Sequence, residues 1–521
     1  AIFSAAVAEG ILREQPSIAE ALREWSRSDR SDSTLTSMLE RNSDLKIVLL
    51  NATPWVMDAR SQTERMERLA LLFDPQEIRA TYASSIALLK KLQCDDGGLA
   101  WTPLFRQSSL WATENALLVF GRLKQLGWFP ADKNLDAIIA KSLAYMDKNV
   151  AEYARKHRDS TDETYVYIRS MYPDTERPGE CVALTSRTVA SLLKSWRDMN
   201  AGAKAIAALI FKAQGQTDAA RLAVASLREF AVTSPERGMW WPSLDSQSWW
   251  SMGRIGSTAI ILDAFAAVDP LSPDIDRIRQ WLIIQKEATD WGTSVVTSQT
   301  IASILRTGTT WTRPASPVTI TIGKNTVTPD NIESMLGEIR TDISALKPSG
   351  KTLSIGKSQP GPSWGAVISR YTGDMADVKA ASCSDLSIEK AIYKRVATPD
   401  GEKWVNADSL RTGDVVQVNL IITAARDIDY VAIVDNRAAC LEPIDQMPAP
   451  IWAEGLCFYR ENRDAATNIF ISHMPKGTYR LSYLLNVNNA GTFASGLATI
   501  QSQYAPAITA HSSGTLLRIN P

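Results

Sequence analysis

Histidine is scarce in this chain, and cysteine is sparse and unpaired. Three histidines and five cysteines are spread over 521 residues, with no Cys-x-x-Cys pair. A zinc site needs about four clustered Cys, His or carboxylate ligands, and no such cluster occurs. An odd cysteine count leaves a thiol over in any disulfide framework, so the redox compartment stays open. Charge of one sign is lacking too: the formal net charge is −1, so no global field draws nucleic acid or an anionic membrane. No apolar run reaches the roughly 20 residues of a spanning helix. The segment Ala5 to Leu12 is too short, and lacks the basic flank, for a signal peptide. The chain begins Ala1-Ile2-Phe3-Ser4, without an initiator Met, and reads as a piece of a longer protein.

What is present is ordinary in bulk and distinctive in pattern. Hydrophobic residues make up 45% and charged residues 22%, as in a typical globular protein, and the length calls for about two to four domains. A Gly/Trp turn recurs ahead of amphipathic stretches. Gly97-Gly98-Leu99-Ala100-Trp101 precedes Trp111 and a helix over Ala112 to Leu126. Gly238-Met239-Trp240-Trp241 precedes Trp249-Trp250 and a helix over Ser257 to Val268. Asp290-Trp291-Gly292 leads into Ser294 to Arg306. Such a repeat signals helical hairpins that bury their apolar faces against one another. The spacing also predicts helices at Ile18 to Trp25, Gln76 to Leu92, Leu135 to Val150 and Ala203 to Lys212. The expected architecture is multidomain, α then β: an α/α-toroid of paired helices over 1–310.

Composition shifts at Trp311 to Pro317, a Pro-rich linker. A β region is expected over 311–400, with strands at Val318 to Ile322, Gly365 to Tyr371 and Leu386 to Val396, and a short helix within Pro329 to Leu346. Over 401–521, Val416, Val418, Leu420 and Ile422 alternate, as do Tyr479, Leu481, Tyr483, Leu485 and Val487. Period-two patterning of this kind predicts an antiparallel β-sandwich.

Candidate chemistry is thin. Asp95-Asp96 invites comparison with the acid clusters of ring-shaped enzymes such as terpene cyclases. No second acidic cluster accompanies it, and a turn reading is the stronger. Asp159 to Glu163 resembles a magnesium-diphosphate motif loosely, but Arg155, Lys156, His157 and Arg158 make a solvated segment. Cys440-Leu441-Glu442-Pro443 lacks the glutamine an internal thioester needs. Cys440 and Cys457 form a disulfide only if their Cα atoms lie within about 7 Å. Trp111, Trp249 and Trp250 are either a binding face or seals between repeats. No hydrolase triad is supported, no catalytic or metal-binding residue is assigned, and no cofactor is implied.

Several stretches together resemble the C-terminal part of a bacterial alpha-2-macroglobulin-like protein. They are Thr53 to Ala59, Leu92 to Trp101, Phe120 to Gly127, Asp435 to Pro443, Met474 to Tyr479, Asn488 to Phe493 and Ala498 to Pro506. The resemblance implies a thioester-type α/α-toroid, part of a flanking β-domain, and a receptor-binding-like sandwich. It implies a broad-spectrum protease inhibitor rather than an enzyme, trapping proteases after bait cleavage. Expected partners are target proteases and other domains of the same protein, with no nucleic acid. The expected location is the cell envelope, periplasmic or surface-exposed, with any membrane contact made through a lipid anchor outside these residues. The family's Cys-x-Glu-Gln motif precedes a helix that Ala1 to Leu12 resembles, and is absent here, so no reactive residue is carried over. Two alternatives remain: a toroid enzyme acting on glycans or isoprenoids, and a peptide-binding module using the Trp-rich ring edge.

Overall fold

The computed structural model describes residues 1–14, 71–235, 237–244, 253–288, 291–308, 318–327, 342–343, 352–358, 373–399, 401–445, 447–503, 505 and 508–521. The expected helix at Ile18 to Trp25, the linker, the short helix (apart from residues 342–343), the strand at Gly365 to Tyr371, and Trp249 and Trp250 lie outside these residues. Two compact units are present: one of residues 1–282 with 291–363, the other of 283–290 with 364–521.

In the first unit, α1 (Ile2–Glu14) and α2 (Pro75–Leu92) are followed by α3 (Leu110–Leu126), α4 (Lys133–Lys156), α5 (Glu163–Ser170) and α6 (Gly179–Ser195). Then come α7 (Ala201–Ala213), α8 (Thr217–Glu229), α9 (Gly253–Val268), α10 (Asp274–Ala288), whose residues from Ile283 on are counted with the second unit, and α11 (Ser294–Thr307). Local chemistry sets several ends. Asp74 caps α2 through Gln76 N–H at 2.6 Å, with Pro75 in the first turn, and Asp132, Asp162, Asn200 and Thr293 cap α4, α5, α7 and α11 in the same way. Each cap supplies an acceptor to an orphan N–H, worth about 1 kcal/mol. Gly127, at φ +70°, ends α3 in the left-handed region that favours glycine.

Alternate helices form the inner layer. α3 touches α11, α11 touches α9, α9 touches α7, α7 touches α5, and α5 returns to α3, so five described helices close a ring. α9 explains why it must be central: every residue from Ile255 to Phe265 is buried, and a helix apolar nearly all round has no solvent face. α4 and α8 pack outside, against α3 and against α7 and α9 respectively. Each Gly/Trp turn delivers the chain to an inner helix. Two of them are small hairpins, β1 (Leu99–Thr102) with β2 (Phe105–Ser109), and β3 (Val232–Ser234) with β4 (Gly238–Trp240). Gly238 is required there: it sits at φ +77°, and a Cβ would stand 2.1 Å from the Arg277 carbonyl oxygen. A three-stranded sheet of β5 (Val318–Ile322), β6 (Asn325–Val327) and β7 (Leu353–Lys357) follows in the order β6-β5-β7, turning at Gly323 as the alternation predicts.

The second unit is a β-sandwich. One sheet holds β8 (Leu386–Thr398), β9 (Gly401–Asn406), β11 (Val415–Ala424), β13 (Leu441–Pro443) and β17 (Gly477–Val487), in the order β13-β17-β11-β8-β9. The other holds β12 (Ile428–Asn436), β14 (Ala449–Ala453), β15 (Leu456–Asn462), β16 (Ala466–Met474), β19 (Ala498–Ser502) and β20 (Thr509–His511), in the order β14-β15-β16-β12-β19-β20. β10 (Leu410–Arg411), β18 (Gly491–Ala494) and β21 (Leu516–Asn520) make a small third sheet. The alternating residues pair in register: Val416 with Leu485, Val418 with Tyr483, Leu420 with Leu481, Ile422 with Tyr479. All eight are buried, and a slip of one residue would turn that whole face to water. β8 pairs with β11 and, through a hairpin, with β9, so the sandwich begins at Leu386, ahead of the expected 401 boundary.

Candidate functional site

The aromatic residues of the repeated turns divide into two kinds. Trp241 is 1% exposed and donates its indole N–H to the Leu227 carbonyl at 2.8 Å; Trp291 is 8% exposed and donates to Leu282 O at 3.0 Å. These are seals between neighbouring elements, each with its polar edge satisfied. The first turn departs from the pattern. Trp101 is 68% exposed, Trp111 56% and Leu104, at the hairpin tip, 89%. The two indoles meet at 5.0 Å between ring centroids. Of the three tryptophans singled out from the sequence, Trp111 is therefore on an exposed aromatic surface. Its stacking partner, Trp101, is the residue that sequence reasoning placed only in the repeat.

The base of that hairpin is rigid. Gly97 lies at φ +91°, where a Cβ would stand 2.5 Å from the Lys141 carbonyl oxygen, and a Cβ on Gly98 would stand 2.7 Å from the Tyr145 ring. Asp96 accepts hydrogen bonds from Gly98 N–H at 3.1 Å and from Ser108 Oγ at 2.5 Å. The exposed Asp95 meets Arg106 at 3.9 Å. The acid pair is a turn, and its two carboxylates engage different residues of β2. Asp162 caps α5, and Asp159 to Glu163 is the connection that leads into it. Missed from the sequence was Glu114, in the first turns of α3. Burial, then the charge of Asp162, pushes its carboxyl up to about 7. Nothing local in sequence signals this, because Asp162 belongs to a different helix.

At the other end of the inner helices lies a buried ionic hub. Asp263 on α9 is fully buried. It meets Arg122 of α3 at 2.6 Å and Arg306 of α11 at 2.7 Å, and accepts from Ser303 Oγ at 2.8 Å. Arg122 also donates to Tyr167 Oη of α5 at 2.6 Å. Burial opposes the Arg122 charge, but the Asp263 carboxylate and Tyr167 outweigh it and raise the guanidinium's pKa. In this way Asp263 is occupied in holding three inner helices together.

All five cysteines are free thiols. Cys440 is buried in the sandwich core and Cys457 is exposed on β15, so the pairing weighed from the sequence is not made. Among the described residues no group of three His, Cys, Asp or Glu side chains is placed to hold a metal. Nor is any helix among them long and apolar enough to cross a membrane.

Residues 386–507 match the family profile of the bacterial alpha-2-macroglobulin MG10 domain. These residues are similar to a domain of bacterial alpha-2-macroglobulin. The matched residues are the sandwich, from the first residue of β8 to just beyond β19. No curated protein matches the sequence. Among solved structures, trypsin-activated alpha-2-macroglobulin from Escherichia coli is 16% identical at a TM-score of 0.43, over 87% of this chain and 31% of that one. Salmonella alpha-2-macroglobulin reacted with methylamine is 15% identical at 0.30, over 97% of this chain and 31% of that one. The native Escherichia coli protein from domain MG7 to the C-terminus is 16% identical at 0.28, over 97% and 75% respectively. All three TM-scores lie below 0.5, and the likeness to the family rests on the MG10 match over residues 386–507. The chain spans about a third of the length of the first of these relatives, 31%.

Proposed function

We propose that this chain is the C-terminal part of a bacterial alpha-2-macroglobulin-like protease inhibitor, which traps proteases after they cleave it and acts in the cell envelope. The observation that carries the reading is the MG10 sandwich following a closed ring of helices. Two buried acids of the ring support a scaffold over a toroid enzyme. Asp263 is bound by two arginines, and Asp147 by Arg169 and Tyr165, so neither is placed as a free proton donor. In this reading Trp101 and Trp111 form a contact surface for another domain of the same polypeptide.

The test is capture. The whole polypeptide is incubated with trypsin or elastase and passed over a sizing column. Co-elution of active protease with the cleaved inhibitor is expected. Cleavage with the protease eluting free contradicts the reading. Methylamine treatment then separates two routes: a mass adduct with one new thiol reports a thioester-bearing parent and covalent capture, whereas no change leaves steric trapping.

One observation favours the peptide-binding alternative: the paired, exposed indoles of Trp101 and Trp111. Trp101→Ala with Trp111→Ala should abolish binding of unfolded peptides if that alternative holds, and leave protease capture intact.

A further inference from the structure

We propose that the mouth of the helical ring, where Arg122, Lys212 and Arg306 come together, binds a small inorganic oxyanion of the phosphate or sulfate type. A cavity of about 160 Å³ opens there, lined by the last turns of all five inner helices: Arg122 and Gln125 of α3, Tyr167 and Ser170 of α5, Lys212 of α7, with Ala267 of α9 and Arg306 of α11 completing the wall.

The cavity has more donors than acceptors. Arg122 gives Nη1 to Asp263 and Gln125 and Nη2 to Tyr167, while its Nε, fully buried, has no partner. Arg306 gives Nε and Nη2 to Asp263, leaving Nη1 without a protein acceptor among the described residues. Tyr167 receives a hydrogen bond from Arg122 and gives none through its hydroxyl to the described residues. Lys212 makes no ion pair among the described residues. Three cations against the one carboxylate of Asp263 leave two positive charges unanswered by side chains.

Helix ends explain part of this. Each C-terminus carries about half a negative charge, so cations gather there. That field accounts for the charges but not for the donors left over at the cavity wall, Nη1 of Arg306 and the ammonium of Lys212. A tetrahedral oxyanion supplies several acceptors at once, through charge-assisted bonds.

The experiment titrates the chain with sodium phosphate, sodium sulfate and sodium chloride at constant ionic strength, reading the melting temperature and, by calorimetry, the affinity. A saturable rise in melting temperature with phosphate or sulfate, and none with chloride, is expected. Lys212→Met removes an exposed cation that has no carboxylate partner among the described residues, so its melting in chloride should match the parent chain. Its oxyanion affinity should fall about tenfold, the loss of one charge-assisted hydrogen bond. Equal responses to all three salts overturn the proposal, as does an oxyanion affinity undiminished in Lys212→Met.

Discussion

Each unit of the molecule buries an aspartate among cations and a tyrosine, and the two do so differently. In the sandwich, Asp435 of β12 meets Lys390 of β8 at 2.5 Å and accepts from Tyr483 of β17. Lys390 gives its remaining donors to the carbonyls of Asn436 and Ser495, at 3.0 and 3.1 Å. Three donors meet three acceptors, and the cluster is closed. In the helical ring, Asp263 faces two guanidiniums with ten N–H groups between them, and one buried N–H stays unpartnered beside a cavity. A lysine ammonium can be saturated by backbone carbonyls at a strand end. Two guanidinium forks that share one carboxylate leave donors over. The closed cluster reads as structure and the open one as a place where something binds.

The largest expected effect breaks the closed cluster. Asp435→Ala leaves a buried ammonium short of its counter-ion, and about 3–5 kcal/mol of stability should go, measured as the urea midpoint of the sandwich transition. Asp263→Ala should cost less, because water reaches the stranded guanidiniums through the mouth. An equal or larger loss would erase the distinction between closed and open. Among the repeated turns, Trp241→Ala should cost about 3–5 kcal/mol, as for a fully buried aromatic, in the unfolding of the helical unit. Trp101→Ala should stay within about 1 kcal/mol, the scale of one exposed aromatic pair. If the two indole deletions cost the same, Trp101 is a seal as well.

The smallest effect is a pH dependence. The Glu114 carboxyl titrates at about 7 when folded, against 4.5 for an unperturbed glutamate. Between those values the folded state holds more protons than the unfolded one, so this group's contribution is full below about 4.5 and is lost as pH rises towards 7. Glu114→Gln should therefore raise the melting temperature above about pH 7 and leave it unchanged near pH 4.5. A gain of the same size at both pH values would contradict the assigned titration.

How much was legible varies with how local the cause is. The sandwich strands β11 and β17 were legible because one face is buried and period two records that directly. The turn at Asp95 to Gly98 was legible because glycine and aspartate carry their own backbone preferences. Four of the five inner helices were legible as helices, α5 was not singled out, and the ring was not fixed by periodicity alone. Asp263 gave no signal: it stands alone in Ile260 to Phe265, an apolar run, and its partner Arg306 lies 43 residues away. Lys390 and Asp435, 45 residues apart, are hidden for the same reason. The strand expected at Leu386 to Val396 was placed in the preceding β region, whereas as β8 it pairs with β11 and β9 of the sandwich.

The central claim, that this ring and MG10 sandwich serve a protease trap, is tested most directly by substrate size. Trypsin mixed with the whole polypeptide is assayed on a short chromogenic peptide and on casein. The account predicts retained activity on the peptide with strong loss on casein. Unchanged activity on both would contradict it.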